Sequence, residues 1–452
     1  MVDSLSMKRY RTTLGHRDFR LLWTGMTLSA LGDSMSLVAL LWLVYQTSGS
    51  VRQLGWFVVA YTAPVAVGGL VAGSVLDRFD RRAVLLADNL IRGAAFAIVP
   101  LLYHAGALAL WHLYLVAALF SLLKMLPLAG VPAMIPRLVP PRELDSANAL
   151  EAIGYGVATL AGPAAAGILL TRLNGADVVA VDAASYFVFA ALLWRLRLPA
   201  RRADAGPVPS TAAEGSQADA NIEAAVNPDV EVEVGVEGEP AGTGAGLLPA
   251  LRFVIGQPAI VATTVMFMLF NIGFGIILVL LPVYARTVLA DGGGASGFGL
   301  LSSALAGGEL AGSAAAGMVT SRWPLGRAIA LSQLAAGAFL LGLVALPQLP
   351  GAVAFLALSA FCTGPLTVWA QTLRMRLIPA HLRGRVFGLL RTSMQAAPLL
   401  GGLAASVLLA GPGLRVAVLA TALFIGVPGA GGLLLRSLGT PVGTDRARAR
   451  HD

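Results

Sequence analysis

The sequence predicts an all-α, polytopic membrane protein with twelve transmembrane helices arranged as two pseudo-symmetric six-helix bundles. Three observations carry this. First, 57% of the 452 residues are hydrophobic and 12% are charged, with a mean hydropathy of +0.76. A soluble surface needs about twice that charge, so the bilayer acts as the solvent. Second, apolar stretches of about 20 residues, the length that crosses a hydrocarbon core of ~30 Å, recur along nearly the whole chain. Third, two short texts return in the same order, offset by about 235 to 239 residues. Arg137-Leu138-Val139-Pro140 is echoed by Arg376-Leu377-Ile378-Pro379, and Gly162-Pro163 through Gly167 by Ala397-Pro398 through Gly402. Echoes in one order mark a duplicated membrane bundle.

Taken in order, residues 1–18 are polar and basic with no apolar core, which predicts a cytoplasmic tail without a cleavable signal peptide. Apolar runs at 19–46, 53–76, 84–103, 110–135, 149–170 and 177–198 predict the first six helices, so the first bundle covers 19–198. Residues 199–251 are a linker. From Ala203 to Leu251 it holds nine of the 24 acidic residues, no basic one, and much Gly, Ala, Pro and Val. Such a segment buries too little surface to offset its ordering entropy and reads as a disordered cytoplasmic tether. Runs at 257–285, 297–320, 327–347, 351–374, 385–410 and 414–435 predict the second bundle within 252–436. Residues 437–452 form a second cytoplasmic tail.

Charge placement sets the orientation. About 26 of the 32 Lys and Arg residues fall on the side of the N-terminus, and the opposite loops hold four, Arg52, Arg172, Arg286 and Arg415. Basic loops stay inside, so both termini face the cytoplasm. The net charge of +8 follows from that bias and from anionic headgroups, and calls for no nucleic acid. The one cysteine, Cys362, lies inside an apolar run and excludes an internal disulfide framework. His16, His104, His112, His381 and His451 are scattered, so neither a metal site nor a nucleophile-base pair is indicated, and no phosphate-binding loop is present. An enzyme and a cofactor are therefore not expected. Coupling to an ion gradient is what remains.

Between the second and third helices stands Gly73-Ser-Val-Leu-Asp77-Arg78-Phe79-Asp80-Arg81-Arg82. It resembles the signature cytoplasmic loop of the major facilitator superfamily, with Val75 and Asp80 departing from its common pattern. The form ending Phe-Asp-Arg-Arg resembles a bacterial branch that includes macrolide and siderophore exporters. The glycine lets helices approach, and the arginines bind carboxylates or lipid phosphates. The resemblance implies that Gly73, Asp77, Arg78, Arg81 and Arg82 form a cytoplasmic gate, with Asp77 facing the start of the eleventh helix near Gly384 and Arg385 when the far side is open. The matching loop of the second half, Gly317 to Arg322, is degenerate and lacks the acid. Ala158 through Gly167, with Gly162, Pro163 and Gly167, resembles the fifth-helix motif of the superfamily's antiporters. Its echo at Pro398, Gly401 and Gly402 places the same device in helix 11. Small residues allow close crossing, and proline frees a carbonyl.

Charges inside the apolar runs are few, and each needs a partner or a wet cavity. Asp33 lies about 14 residues into the first helix, some 20 Å deep at ~1.5 Å per residue. Lys124 on the fourth helix sits at similar depth from the other side, so an Asp33–Lys124 pair is the expected first-half site. Glu309, between Gly308 and Leu310, is the one acid expected to be buried in the second half, either as a proton-coupling carboxylate or as a helix-helix hydrogen bond. Asn271 and Gln395 are cavity-wall candidates, with Gln371, Tyr61 and Trp369 beside them. Asp88 and Arg92, four residues apart, read as a structural pair near the cytoplasmic face. Asp182 reads as solvated or capping near the outer end of its helix, and Glu151 as an acid at a helix start.

The expected protein is a monomeric secondary transporter of the bacterial cytoplasmic membrane, exporting hydrophobic or amphipathic small molecules by proton antiport. Its partners are then the substrate, protons and the lipid bilayer, with no nucleic acid. Two alternatives stay open: a proton-coupled symporter importing a metabolite or sugar, and a non-transporting receptor or lipid-handling protein on the same scaffold.

Overall fold

The computed structural model describes residues 2–197, 247–289, 294–318, 324–379, 382–435 and 438. The expected tether, the degenerate loop around Ser321 and the C-terminal tail lie largely or wholly outside these residues. Every regular element among them is helical. The first half comprises α1 (Val2–Gly15), α2 (Arg17–Ser48), α3 (Val51–Thr62), α4 (Pro64–Arg78), α5 (Arg81–His104), α6 (Leu110–Leu123), α7 (Met125–Met134), α8 (Leu144–Leu169) and α9 (Gly175–Arg195). The second comprises α10 (Leu247–Ile255), α11 (Pro258–Thr287), α12 (Gly294–Met318), α13 (Leu325–Leu340), α14 (Gly342–Ala345), α15 (Leu349–Leu377), α16 (Arg383–Ala410) and α17 (Leu414–Leu434).

Prolines explain two interruptions. Pro64 opens α4, where its missing N–H and fixed φ suit a first turn. Pro127 confronts the carbonyl of Leu123, and α6 ends at that residue. Lys124 stands in the break between α6 and α7.

Among the described residues, nine helices are long and apolar enough to cross a membrane, ten if the bent stretch from Val51 to Arg78 is one span. The twelve expected from sequence exceed that count by α12 and α16. Helix α12 has the length, but Gly, Ser and Glu309 dilute its apolar residues; the apolar stretch described in α16 is Ala396–Ala410.

The two halves repeat their packing. In the first, α2 packs on α8 and α9, and α5 packs on α9. In the second, α11 packs on α16 and α17, and α13 packs on α17. The halves meet where α8 crosses α12 and where α16 crosses α3. The echoed glycines build those crossings. Gly162 faces Ser34 and Leu31 of α2, and a Cβ on Gly167 would fall 2.8 Å from Gly299 Cα of α12. In the echo, Gly401 faces Ile272 and Gly275 of α11, and a Cβ on Gly402 would fall 2.9 Å from Val58 Cβ of α3. Each text thus seats its helix once within its own half and once across to the other.

Arginines at 17, 20, 78, 81, 82, 195 and 197 gather at one end of the first bundle, here called the arginine face. Toward the opposite, far face the halves share one large apolar core that includes Trp42, Tyr45, Phe57, Tyr284 and Phe298. There Trp42 stacks on Phe298 at 6.1 Å, and the Arg286 guanidinium lies 4.9 Å from the Tyr45 ring and donates to its carbonyl at 3.3 Å. These contacts close the far ends of the two bundles against each other.

Candidate functional site

Three helices of the first bundle bring a charged cluster together at mid-depth. Asp88 and Arg92 lie one turn apart on α5, Asp182 and Tyr186 one turn apart on α9, and Gly32 and Asp33 are adjacent on α2. Arg92, 2% exposed, donates through Nε to Asp88 Oδ1 at 3.1 Å and through a terminal nitrogen to Oδ2. Its other terminal nitrogen lies 3.9 Å from Asp33 Oδ2, and the Tyr186 hydroxyl donates to Asp33 Oδ1. The guanidinium also rests over the rings of Tyr186, at 5.0 Å, and Phe120, at 5.7 Å. A planar, fixed cation can hold two carboxylates and two aromatic faces at once, which an ammonium cannot.

This corrects two sequence expectations. The cation that pairs with Asp33 is Arg92, and the Lys124 ammonium lies 5.8 Å from the Tyr61 ring while remaining within electrostatic reach of Asp33. Asp88 and Arg92 do pair, but near the middle of α5, where Arg92 reaches on to Asp33 instead of closing a private pair near the arginine face. Sequence depth alone gave no rotation about the helix axis, so it could not rank Arg92 above Lys124.

Aromatic rings form the wall beside this cluster. Tyr61 stacks on Phe120 at 5.4 Å and on Phe57 at 6.3 Å, and Phe96 meets Tyr186 edge-on. Asp33, Ser36, Tyr61, Phe96 and Phe120 line a narrow cleft that, as the helices are packed here, has no room for a water molecule. A carboxylate beside aromatic rings is chemistry that suits an organic cation, or an amphiphile with a polar end, once such a cleft widens. Among the described residues, no group of three His, Cys, Asp or Glu side chains is placed to hold a metal ion.

Asp182 is the second correction of depth. It is fully buried, with its Oδ1 accepting from Ser185 at 3.0 Å, and it is neither solvated nor a cap. Gly32 of α2 makes room for it, since a side chain there would collide with that carboxylate. The signal was present in the sequence: Asp182 and Tyr186 share a face at spacing four, and Gly32 stands beside Asp33.

The second-half candidates do not converge in the same way. Glu309 keeps accessible surface on α12 although protein surrounds most of it. It continues the strip Phe298, Ser302, Leu305 along α12, which starts in the shared core against Trp42 and runs past it toward the arginine face. Gly308 and Gly312, flanking it, seat α12 on Ala357, Ala360 and Phe361 of α15. Asn271 is half-buried and donates to the Phe267 carbonyl of its own helix at 2.8 Å, while the Gln395 side chain lies outside those described. Trp369 donates to the Ala316 carbonyl at 3.4 Å, and Gln371 is exposed. Arg374, which the sequence reading passed over, is 5% exposed over the Phe267 ring and donates to the Thr263 carbonyl.

The Gly73–Arg82 loop is built differently from expectation. Arg81 donates to the Ala133 carbonyl at 2.8 Å, and Arg82 donates to the Leu193 and Trp194 carbonyls. Both arginines thus satisfy the free carbonyls at the ends of α7 and α9, where the helix dipole also favours a cation. Asp80, the departure from the family pattern, caps α5 by accepting from the Ala83 N–H at 3.0 Å. Asp77, Arg78 and Gly73 are exposed, and a Cβ on Gly73 would meet nothing within 4 Å. The side chains of Gly384 and Arg385, the expected surroundings of Asp77, lie outside those described.

Comparisons with known proteins agree with this architecture. A family model described as Major Facilitator Superfamily matches residues 22–297. The multidrug efflux pump Tap of Mycolicibacterium fortuitum is 26% identical over 409 residues, covering 89% of this chain and 91% of that protein. Its namesake in Mycobacterium tuberculosis is 27% identical, covering 88% of each. Macrolide efflux protein A of Streptococcus pyogenes is 23% identical over 40% of this chain and 45% of its own. Among solved structures, a peptide transporter POT superposes with a TM-score of 0.67 at 14% identity, covering 93% of this chain and 94% of the other. A bacterial homologue of the human lysosomal transporter Spinster superposes with a TM-score of 0.65 at 16% identity, covering 95% and 98%. With the family model matching more than half of its length and two structurally repeated helical bundles behind it, this chain belongs to the Major Facilitator Superfamily.

Proposed function

We propose that this chain exports hydrophobic or amphipathic small molecules of drug, macrolide or siderophore-like kind from a bacterial cell, driven by proton antiport through alternating access. The observation that carries this reading is the Asp33–Arg92–Asp88 cluster beside an aromatic cleft inside an otherwise apolar bundle. Charges at that depth cost several kcal/mol, so a cluster of them kept there points to binding or coupling. The near-full-length likeness to proteins named multidrug efflux pumps supports export as the direction.

In this reading the arginine face is cytoplasmic, because basic loops are retained inside, and both termini lie there. The far-face closure through Trp42, Phe298 and the Gly167–Gly299 crossing then makes the arrangement inward-facing, with a single chain as the working unit. Asp77 stands exposed because the gate it serves is open, and it engages the start of α16 when the far face parts. The proton and the substrate compete around Asp33, while Glu309 lines the opening as a second acid. Lys124, beside the Tyr61 ring, completes the cavity wall in the first half, and Asn271 is the polar candidate in the second.

The test is net accumulation of a panel of dyes and antibiotics in a bacterial host stripped of its own pumps. The parent is compared with Asp33→Asn and Glu309→Gln at matched membrane levels. Export predicts lower accumulation of some compound, lost with a protonophore or with Asp33→Asn. A panel handled identically with and without the chain would contradict it.

A further inference from the structure

The geometry points to Asp182 as a resident proton site of the first bundle, distinct from Asp33. The helices facing it supply the charges to be counted. From α2 come Asp33 and Ser36, from α5 come Asp88 and Arg92, from α3 comes Tyr61, and α9 itself adds Ser185 and Tyr186. Lys124, acting on Asp33 from the α6–α7 break, completes the set of ions. Three acids therefore face two bases. Asp88 takes both forks of its contact with Arg92, and Asp33 takes the remaining one together with the Tyr186 hydroxyl.

Nothing is left to balance Asp182. Its Oδ1 accepts one neutral hydroxyl, from Ser185, and its Oδ2 is buried with no partner among the described residues. The buried Ser36 hydroxyl of α2 is the neighbour of this carboxylate, a second neutral group beside it. An ionised carboxylate with only neutral hydroxyls beside it and no cation of its own in an apolar bundle is heavily penalised, whereas a protonated one can donate from Oδ2 to a neighbouring hydroxyl. A proton on Asp182 also makes the cluster neutral: Asp33 and Asp88 against Arg92 and Lys124. Losing that proton leaves one net negative charge beside the aromatic cleft, which one monovalent organic cation offsets. The site thus deepens the transport reading, on which its exchange role rests: one proton leaves Asp182 when one monocation enters, and a neutral substrate releases none.

Infrared spectroscopy of the purified full chain in lipid, across a step in pH, tests the proton directly and without transport. The parent is expected to show a protonated-carboxyl band with a component that Asp182→Asn removes and that Glu309→Gln retains. Retention of the whole band in Asp182→Asn overturns the proposal. Should that variant fail to fold, Asp182→Glu keeps an acid in place, and its band must shift in frequency; an unshifted band overturns the proposal equally. A pH indicator then follows addition of tetraphenylphosphonium to the parent. Release of about one proton per chain, lost in Asp182→Asn, supports the exchange role. If tetraphenylphosphonium binds without releasing a proton, the exchange role is wrong. If it does not bind at all, the transport reading fails for this cation class while the infrared assignment stands.

Discussion

Replacing Asp88 with Asn isolates what holds the charged cluster in place. Asp88 supplies both oxygens to Arg92, and each residue is only 2% exposed. Removing one partner of a buried, hydrogen-bonded pair costs about 3–5 kcal/mol, because the survivor is left as an uncompensated charge. Here Asp33 stays 3.9 Å from the same guanidinium, so the loss falls at the low end, about 3 kcal/mol. The Arg92→Met variant strands two acids instead of one base and should lose more. Combining the two substitutions removes the stranded charge on both sides, so the double variant should be markedly more stable than the two losses predict together, with a coupling of about 2 kcal/mol. The assay is denaturation of the purified chain followed by tryptophan fluorescence, carried out as a double-mutant cycle. An Asp88→Asn protein within about 0.5 kcal/mol of the parent, or strictly additive losses, would refute the pairing.

Three further outcomes follow from particular contacts. Gly299→Val places a side chain against Pro163 and Gly167 of α8, where the halves meet, so the far face should part; a Ser296→Cys reporter should then label faster from the far side, and unchanged labelling would contradict a closed crossing there. Asp80→Ala removes the cap of α5 and should cost about 1 kcal/mol, whereas Asp80→Gly, the common family residue, should cost only a few tenths, read by the same denaturation assay. Tyr186→Phe removes the hydroxyl that donates to Asp33, a bond to a charged group worth about 1.5–3 kcal/mol. It should displace the pH profile of export as well as lower stability, and an unchanged profile would sever Tyr186 from the site.

What the sequence could and could not convey follows from the solvent. Length and apolarity of a membrane helix are written locally, so the helical stretches were legible, and the echoed Gly-Pro texts fell on equivalent crossings. Rotation was not legible. A helix apolar on all sides carries little periodic signal to say which residues face inward. Depth therefore points to Lys124 as the partner of Asp33 and leaves Arg92 to Asp88 alone, and Asp182 reads as peripheral although Gly32 leaves room for it. The accessible position of Glu309 has the same origin: it lies on the strip that begins in the shared core but four residues beyond Leu305, where that core has ended. Loop arginines misled for another reason. Arg81 and Arg82 looked free to bind carboxylates or phosphates, but the ends of α7 and α9 offer carbonyls closer at hand.

The account's central claim is that the charged cluster around Asp33 couples protons to the passage of a substrate. Reconstituting the parent and Asp33→Asn in proteoliposomes, imposing a pH gradient and following tetraphenylphosphonium across the bilayer tests it most directly. Gradient-driven movement by the parent that Asp33→Asn abolishes, with binding of the cation preserved, is the predicted result. Equal gradient-driven movement by both proteins would show that the cluster around Arg92 holds the fold together and does not couple transport.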